Sequence, residues 1–266
     1  MKKKLTAFLL SALLLLSLVG CTQSQTTVTT APETTVAETA PETTAVETAP
    51  ETTAVETAAE TTAEATEAAD YLASISGTYV ELFPELSKPE YRSLWTAAVA
   101  PLVGEENAES ATDMLLGMCT AEIYGPEAAE KYAADPNAMA FDCYFLGGVK
   151  TFVIDGHTIT GLDDQGKEVF SHTYDAMNVD NENGFIFYKS QDEGSGQFSY
   201  FAFSPDSMDT TYHLEFRYAQ EESDLQSWFE GNFAYWNAAA IAADYDQPTM
   251  ENVINLFAQE NLAGQE

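Results

Sequence analysis

Between Ala138 and Tyr218 apolar and polar positions alternate with a period of two, the pattern of half-buried strands, and clusters of Gly, Asp and Asn interrupt it at short intervals. The pattern predicts strands over Met139–Leu146, Lys150–Ile154, Thr158–Leu162, Glu168–Asp175, Gly184–Lys189, Phe198–Phe203 and Thr211–Tyr218. Between them stand Gly147-Gly148, Asp155-Gly156, Asp163 to Gly166, Asn181 to Gly184, Gly194-Ser195-Gly196 and Pro205-Asp206, all turn signals. Short antiparallel strands joined this way predict a meander closing into a barrel. An earlier alternating run, Gly77–Phe83, predicts a first strand.

The flanks read differently. Ser87-Lys88-Pro89-Glu90 predicts a helix start, with Ser87 as cap and Pro89 in the first turn, and Tyr91, Leu94, Trp95 and Val99 follow at helical spacing. Ser110 is the predicted cap of a second helix, with Met114, Leu115, Met118 and Cys119 on one face. A short third helix follows Pro126. After Gln220 the chain is expected to return to helix, the last one beginning at Thr249 with Val253, Ile254, Phe257 and Leu262 as its apolar side. The expected fold class is therefore α+β, mostly β, an antiparallel barrel preceded and followed by helices.

Ahead of this domain the patterning disappears. Lys2, Lys3 and Lys4, the apolar run Phe8–Leu16, and Gly20-Cys21 have the order of a bacterial lipoprotein signal. That likeness implies cleavage after residue 20, lipidation of Cys21, and a location on the extracytoplasmic face of the cell membrane. Two acyl chains hold a protein stably where one would not. Residues 21–69 hold no aromatic residue and carry a nine-residue repeat, in which Thr30-Ala-Pro-Glu-Thr-Thr recurs from Thr39 and Thr48 and, with Ala59 in place of proline, from Thr57. Such a segment buries too little apolar surface to offset its ordering entropy and reads as a linker. The domain is placed at 70–266, where all the Trp and Tyr lie.

With the three N-terminal lysines in the export segment, seven Lys and Arg remain against 43 Asp and Glu. So acidic a surface repels nucleic acid and anionic lipid, so that the lipid would hold the protein to the membrane. Cys119 and Cys143 remain once Cys21 is assigned to lipid, and their spacing leaves open whether they pair or stay as buried thiols.

The sequence carries little catalytic chemistry. There is no phosphate-binding glycine loop, no Gly-x-Ser-x-Gly and no His-Glu-x-x-His, and an enzyme is not expected. Of the three histidines, His157 follows a hairpin turn, and His172 and His213 fall on predicted strands. Residues two apart share one face of a strand, so His213 and Glu215 point the same way. Imidazole and carboxylate are both zinc ligands. Arg217, on the same face, offers Glu215 an ordinary ion pair instead.

The stretch from Phe203 through His213-Leu214-Glu215 to Tyr218 resembles the ZinT family of exported zinc-binding domains, also found fused within zinc-binding lipoproteins. The similarity extends through Ser223–Trp236 to Thr249–Phe257, and upstream to Ile75–Pro84 and Val153–Gly156. It implies a calycin-like barrel with added helices. It also implies zinc held by a His-x-His pair on this strand and a third histidine just after the preceding Phe-Ser-Asp. His213 matches the first of the pair, Glu215 stands in place of the second, and the third falls near Asp206 or Ser207. His172 stands near a family cysteine, which puts the family's disulfide in doubt. The implied site is His213, Glu215 and Asp206, with His172 as a possible fourth ligand, converging on one divalent cation, zinc, inside the barrel mouth. Oxygen ligands in place of imidazole shift preference toward harder cations. The implied role is metal buffering or delivery to a metal ABC importer. The alternative is a surface protein of the same fold whose barrel holds a non-metal ligand or meets a partner.

Overall fold

A barrel of alternating strands has two edges until another strand pairs with both ends of the meander. In the computed structural model, which describes residues 71–120, 122–135, 140–180 and 184–263, that strand comes from the start of the domain. The first part holds β1 (Gly77–Glu81), α1 (Leu82–Leu86), α2 (Arg92–Val103), α3 (Ala108–Met118), β2 (Cys119–Thr120), α4 (Pro126–Ala134) and β3 (Phe141–Asp142). The meander follows as β4 (Thr151–Asp155), β5 (Thr158–Leu162), β6 (Glu168–Val179), β7 (Ile186–Ser190), β8 (Tyr200–Phe203), β9 (Leu214–Ala219) and β10 (Ala238–Ala242), and α5 (Gln247–Leu262) ends it. The closed order is β1-β10-β9-β8-β7-β6-β5-β4, antiparallel throughout, with β1 hydrogen-bonded to both β10 and β4. This is the calycin-like α+β barrel expected from the sequence. The expected signal at 1–20, Cys21, the linker to 69, Asp70, Met139 and Asn181 to Asn183 lie outside the described residues.

Several elements depart from expectation for identifiable reasons. The strand predicted over Met139–Leu146 contracts to β3, which pairs in parallel with β2 outside the barrel. Ser87 does not cap a helix start. It ends α1, its N–H donating to Phe83, and α2 begins at Arg92 after a 3₁₀ turn at Pro89–Tyr91. Ser110 lies inside the first turn of α3, because Asn107 precedes that helix. The last helix starts two residues before Thr249: the Asp246 carboxylate accepts Thr249 N–H at 2.9 Å and its hydroxyl at 2.7 Å, closing the cap.

The largest departure is β10. Ala-Ala-Ala-Ile-Ala favours helix by intrinsic propensity, yet it pairs with β9 on one side and β1 on the other. Ala238 and Ala240 face a lumen already crowded by Phe216 and Trp236, where small side chains fit, while Ala239 and Ile241 face the helices. Unpaired ladder groups on both neighbouring strands outweigh the propensity.

Aromatic rings fill the barrel. Phe152 alone meets Phe145, Phe170, Phe201, Phe216 and Tyr218 at centroid distances of 4.8–6.1 Å. A second core lies outside the wall, where α5 and α2 cover β1 and β10. There Phe257 takes Phe83 and Trp95 edge-on at 5.4 and 5.9 Å.

Candidate metal centre on the outer wall

Alternation along β9 decides where the candidate residues point. Leu214, Phe216 and Tyr218 belong to the aromatic core of the lumen, so His213, Glu215 and Arg217 project from the outer face. The expected convergence inside the barrel mouth is therefore corrected. The large apolar side chains of β9 take the lumen, and the polar ones turn beneath the segments that cover the wall.

His213 is aimed by the turn before it. Ser207 O accepts N–H groups from Thr210, Thr211 and Tyr212, and Tyr212 adopts φ 64°, a left-handed conformation uncommon outside glycine. The turn brings the His213 ring back onto its own loop, with Nδ1 2.6 Å from Thr211 O. A carbonyl can only accept, so Nδ1 carries the proton. Nε2 then faces Glu215 Oε1 at 3.4 Å. The other Glu215 oxygen accepts the Asn237 side-chain N–H at 2.9 Å. Asp206, 9% exposed, sits in the same turn, whose backbone is held by Tyr71: its hydroxyl donates to Ser204 O at 2.6 Å and to Asp206 O at 3.0 Å.

Charge is unbalanced here. Burial works against the imidazolium, but Glu215, through hydrogen bond and charge, outweighs it with help from Asp206 and the Thr211 carbonyl, and His213 is held up at about 9. Burial and then Glu215 push Asp206 up to about 7 against the pull of His213. Burial pushes Glu260 of α5 up to about 7 as well, opposed by His213 and reinforced by Glu215. Three carboxyl groups thus share one imidazole, and Glu260 Oε2 is buried with no hydrogen-bond partner.

The structure brings His213, Glu215 and Asp206 into one electrostatic cluster and leaves His172 elsewhere. Ladder register carries Tyr174 of β6 to Ser190, Lys189 to Tyr200 and Tyr200 to Ala219, the far end of β9 from His213. There His172 Nδ1 meets Asp192 at 2.9 Å and its ring stacks on Phe170. Arg217 does not take Glu215 either. It donates to the carbonyls of Trp236, Leu225, Ser227 and Phe233, clamping the segment that crosses the wall. Glu260 and Asn237 join the cluster with no signal in their own sequence surroundings; folding alone delivers them.

As chemistry, the donor set suits a divalent cation. The imidazole has Nδ1 committed to a carbonyl, as metal-bound histidines do, and the surrounding carboxyl groups outnumber the one imidazole that faces them. As geometry, the His213–Glu215 pair is assembled and a third ligand is not. Among the described residues, no three His, Cys, Asp or Glu side chains already form a group that could hold a metal ion.

Fold and cluster together define a calycin-like barrel with a buried histidine–carboxylate cluster on its outer wall. Among solved structures, the chain is similar to the Zn(II)-bound ZinT-like domain of Streptococcus pneumoniae AdcA, at 13% identity and a TM-score of 0.43, over 70% of this chain and 89% of that one. It is also similar to Zn(II)-bound AdcA from Streptococcus pneumoniae, at 12% identity and a TM-score of 0.39, over 70% of this chain and 35% of that one. At these scores the fold assignment rests on the strand register described above. No protein-family model matches the sequence, and no curated protein matches it.

Proposed function

We propose that this domain binds a divalent cation, zinc in the first instance, through His213 Nε2 and Glu215. Asp206 or Glu260 would rotate in as the third ligand. One observation carries the reading: a buried imidazole, Nδ1 tied to Thr211 O and Nε2 turned to Glu215, stands among carboxylates that outnumber the positive charges facing them. A bound cation would relieve that repulsion and take the nitrogen that the fold turns toward Glu215. Asn237 would orient the Glu215 ligand from behind, as supporting hydrogen bonds do around metal-bound carboxylates. The ion would be cargo. In this reading the chain is a lipoprotein held through Cys21 at the extracytoplasmic face, buffering metal there or handing it to an importer.

Titration calorimetry of the purified protein with zinc tests the site. The unaltered protein is expected to bind one ion, and His213→Ala to weaken binding at least tenfold, as does losing a ligand elsewhere. Glu215→Gln, which keeps shape and removes charge, is expected to weaken it as well. Zinc affinity unchanged by His213→Ala would overturn the assignment. The alternative of an apolar ligand in the lumen is disfavoured by the rings packed around Phe152.

A further inference from the structure

Cys119 and Cys143 are far apart in sequence and meet in the fold. β2 and β3 pair in parallel, with Cys119 opposite Phe141 and Thr120 opposite Asp142. Two residues beyond Phe141, the Cys143 side chain returns to the face that carries Cys119. Both residues are buried, at 7% and 1% exposure, and both are free thiols. Both side chains are buried in the one cluster packed between the barrel wall and the helices, each close enough to bear on the other's ionisation. The backbone around them is fixed: Cys143 O accepts Ala239 N–H of β10 at 3.0 Å, Asp142 O accepts Asn237 N–H at 2.9 Å, and Asp142 N–H donates to Tyr235 O at 2.9 Å.

We propose that Cys119 and Cys143 are a disulfide-forming pair, closed by thiol–disulfide exchange with an external disulfide. Parallel register puts the two side chains on one face as diagonal neighbours, so closure needs a local shift of β3 against β2 and leaves the barrel strands in place. Burial pushes both thiols up, Cys119 furthest, so that the folded dithiol reacts slowly with reagents from solution. Exchange therefore begins when the two-residue strands β2 and β3 open locally. One thiol loses its proton, and its thiolate attacks one sulfur of the external disulfide and releases one thiol. The other then loses its proton, attacks the protein sulfur of the mixed disulfide and expels the second thiol. Two protein thiols give up two electrons and two protons, and the external disulfide leaves as two thiols. The export-type N-terminus agrees with this chemistry, since disulfides persist outside the cytoplasm.

The full chain with Cys21→Ser, which leaves these as its two thiols, tests the pair. It is equilibrated with oxidised glutathione in chelator, unfolded with iodoacetamide present and weighed intact. No alkylation is expected after oxidation and two additions after prior reduction, with a linked Cys119–Cys143 peptide on digestion. Oxidised protein is expected to melt roughly 5–10 °C above reduced protein. Cys119→Ala with Cys143→Ala is expected to lose that difference. Two alkylated thiols after oxidation, or glutathione adducts without a linked peptide, would overturn the proposal. The comparison of oxidised with reduced unaltered pair stands even if the double variant does not fold, and chelation keeps the result independent of zinc binding.

Discussion

Gly161 shows how closely single residues are fitted to this barrel. It lies on β5 facing the lumen, where a Cβ would stand 2.4 Å from the Phe170 ring and 2.9 Å from Val149 Cγ2. Phe170 cannot swing aside, because Phe198 stacks on it at a centroid distance of 3.8 Å. Gly161→Ala is therefore expected to cost about 2 kcal/mol through overpacking, read as a lower urea midpoint at unchanged slope. Arg217 makes the complementary point. Its charge invites a carboxylate partner in any reading of β9, yet four backbone carbonyls take the guanidinium, and burial brings it down to about 10. Carbonyl partners leave no mark in side-chain sequence, so that clamp was not legible beforehand.

At the scale of elements, β9, the turn before it and α5 meet over the histidine–carboxylate cluster, and their contact is pH-dependent. His213 in the fold, at about 9, lies above its ordinary 6.5, so its stabilisation is complete below 6.5 and disappears as pH rises through 9. Asp206 and Glu260, at about 7, lie above their ordinary 3.8 and 4.5, so their contribution is present at acid pH and is lost as pH rises through 7. All three shifts have the same sign. Metal-free protein is expected to melt several degrees lower at pH 9 than at pH 6, measured by circular dichroism in chelator. Zinc should reverse the trend, because binding displaces protons and tightens as pH rises. A melting temperature flat between pH 6 and 9 would count against the cluster as described. Among elements, β5 coincides with its prediction and β4 and β7 are shifted by a residue or two. β10 departs from expectation because four alanines and an isoleucine say little about strand or helix until two open ladders flank them.

At the scale of the whole molecule, the barrel is one part of a longer design read from the N-terminal sequence. The acidic excess gives the domain no electrostatic attraction to anionic lipid, so attachment would fall to Cys21. Cys21→Ala is expected to move the protein from the membrane fraction to the soluble fraction of an expressing bacterium, followed by fractionation and immunoblotting. Protein that stays with membranes after this change would exclude lipid at Cys21 as the anchor. The repeat between Cys21 and the domain would then set the reach of the proposed metal site from the surface.

Local pattern determined the class of fold, since a period of two punctuated by glycine turns leaves few alternatives to an antiparallel meander. It also pointed His213 and Glu215 the same way, a relation the fold keeps although His213 lies one residue ahead of β9 and is aimed by the turn. Tertiary structure decided which side of the wall that face meets. It set His172 at the other end of the barrel, added Asn237 and Glu260, and brought Cys119 to Cys143. These relations join residues distant in sequence, and they follow from barrel closure, from β1 and β10 pairing across the gap, and from the helices packed on the outside. None of those contacts leaves a periodic trace in the sequence that could be read before the chain is folded.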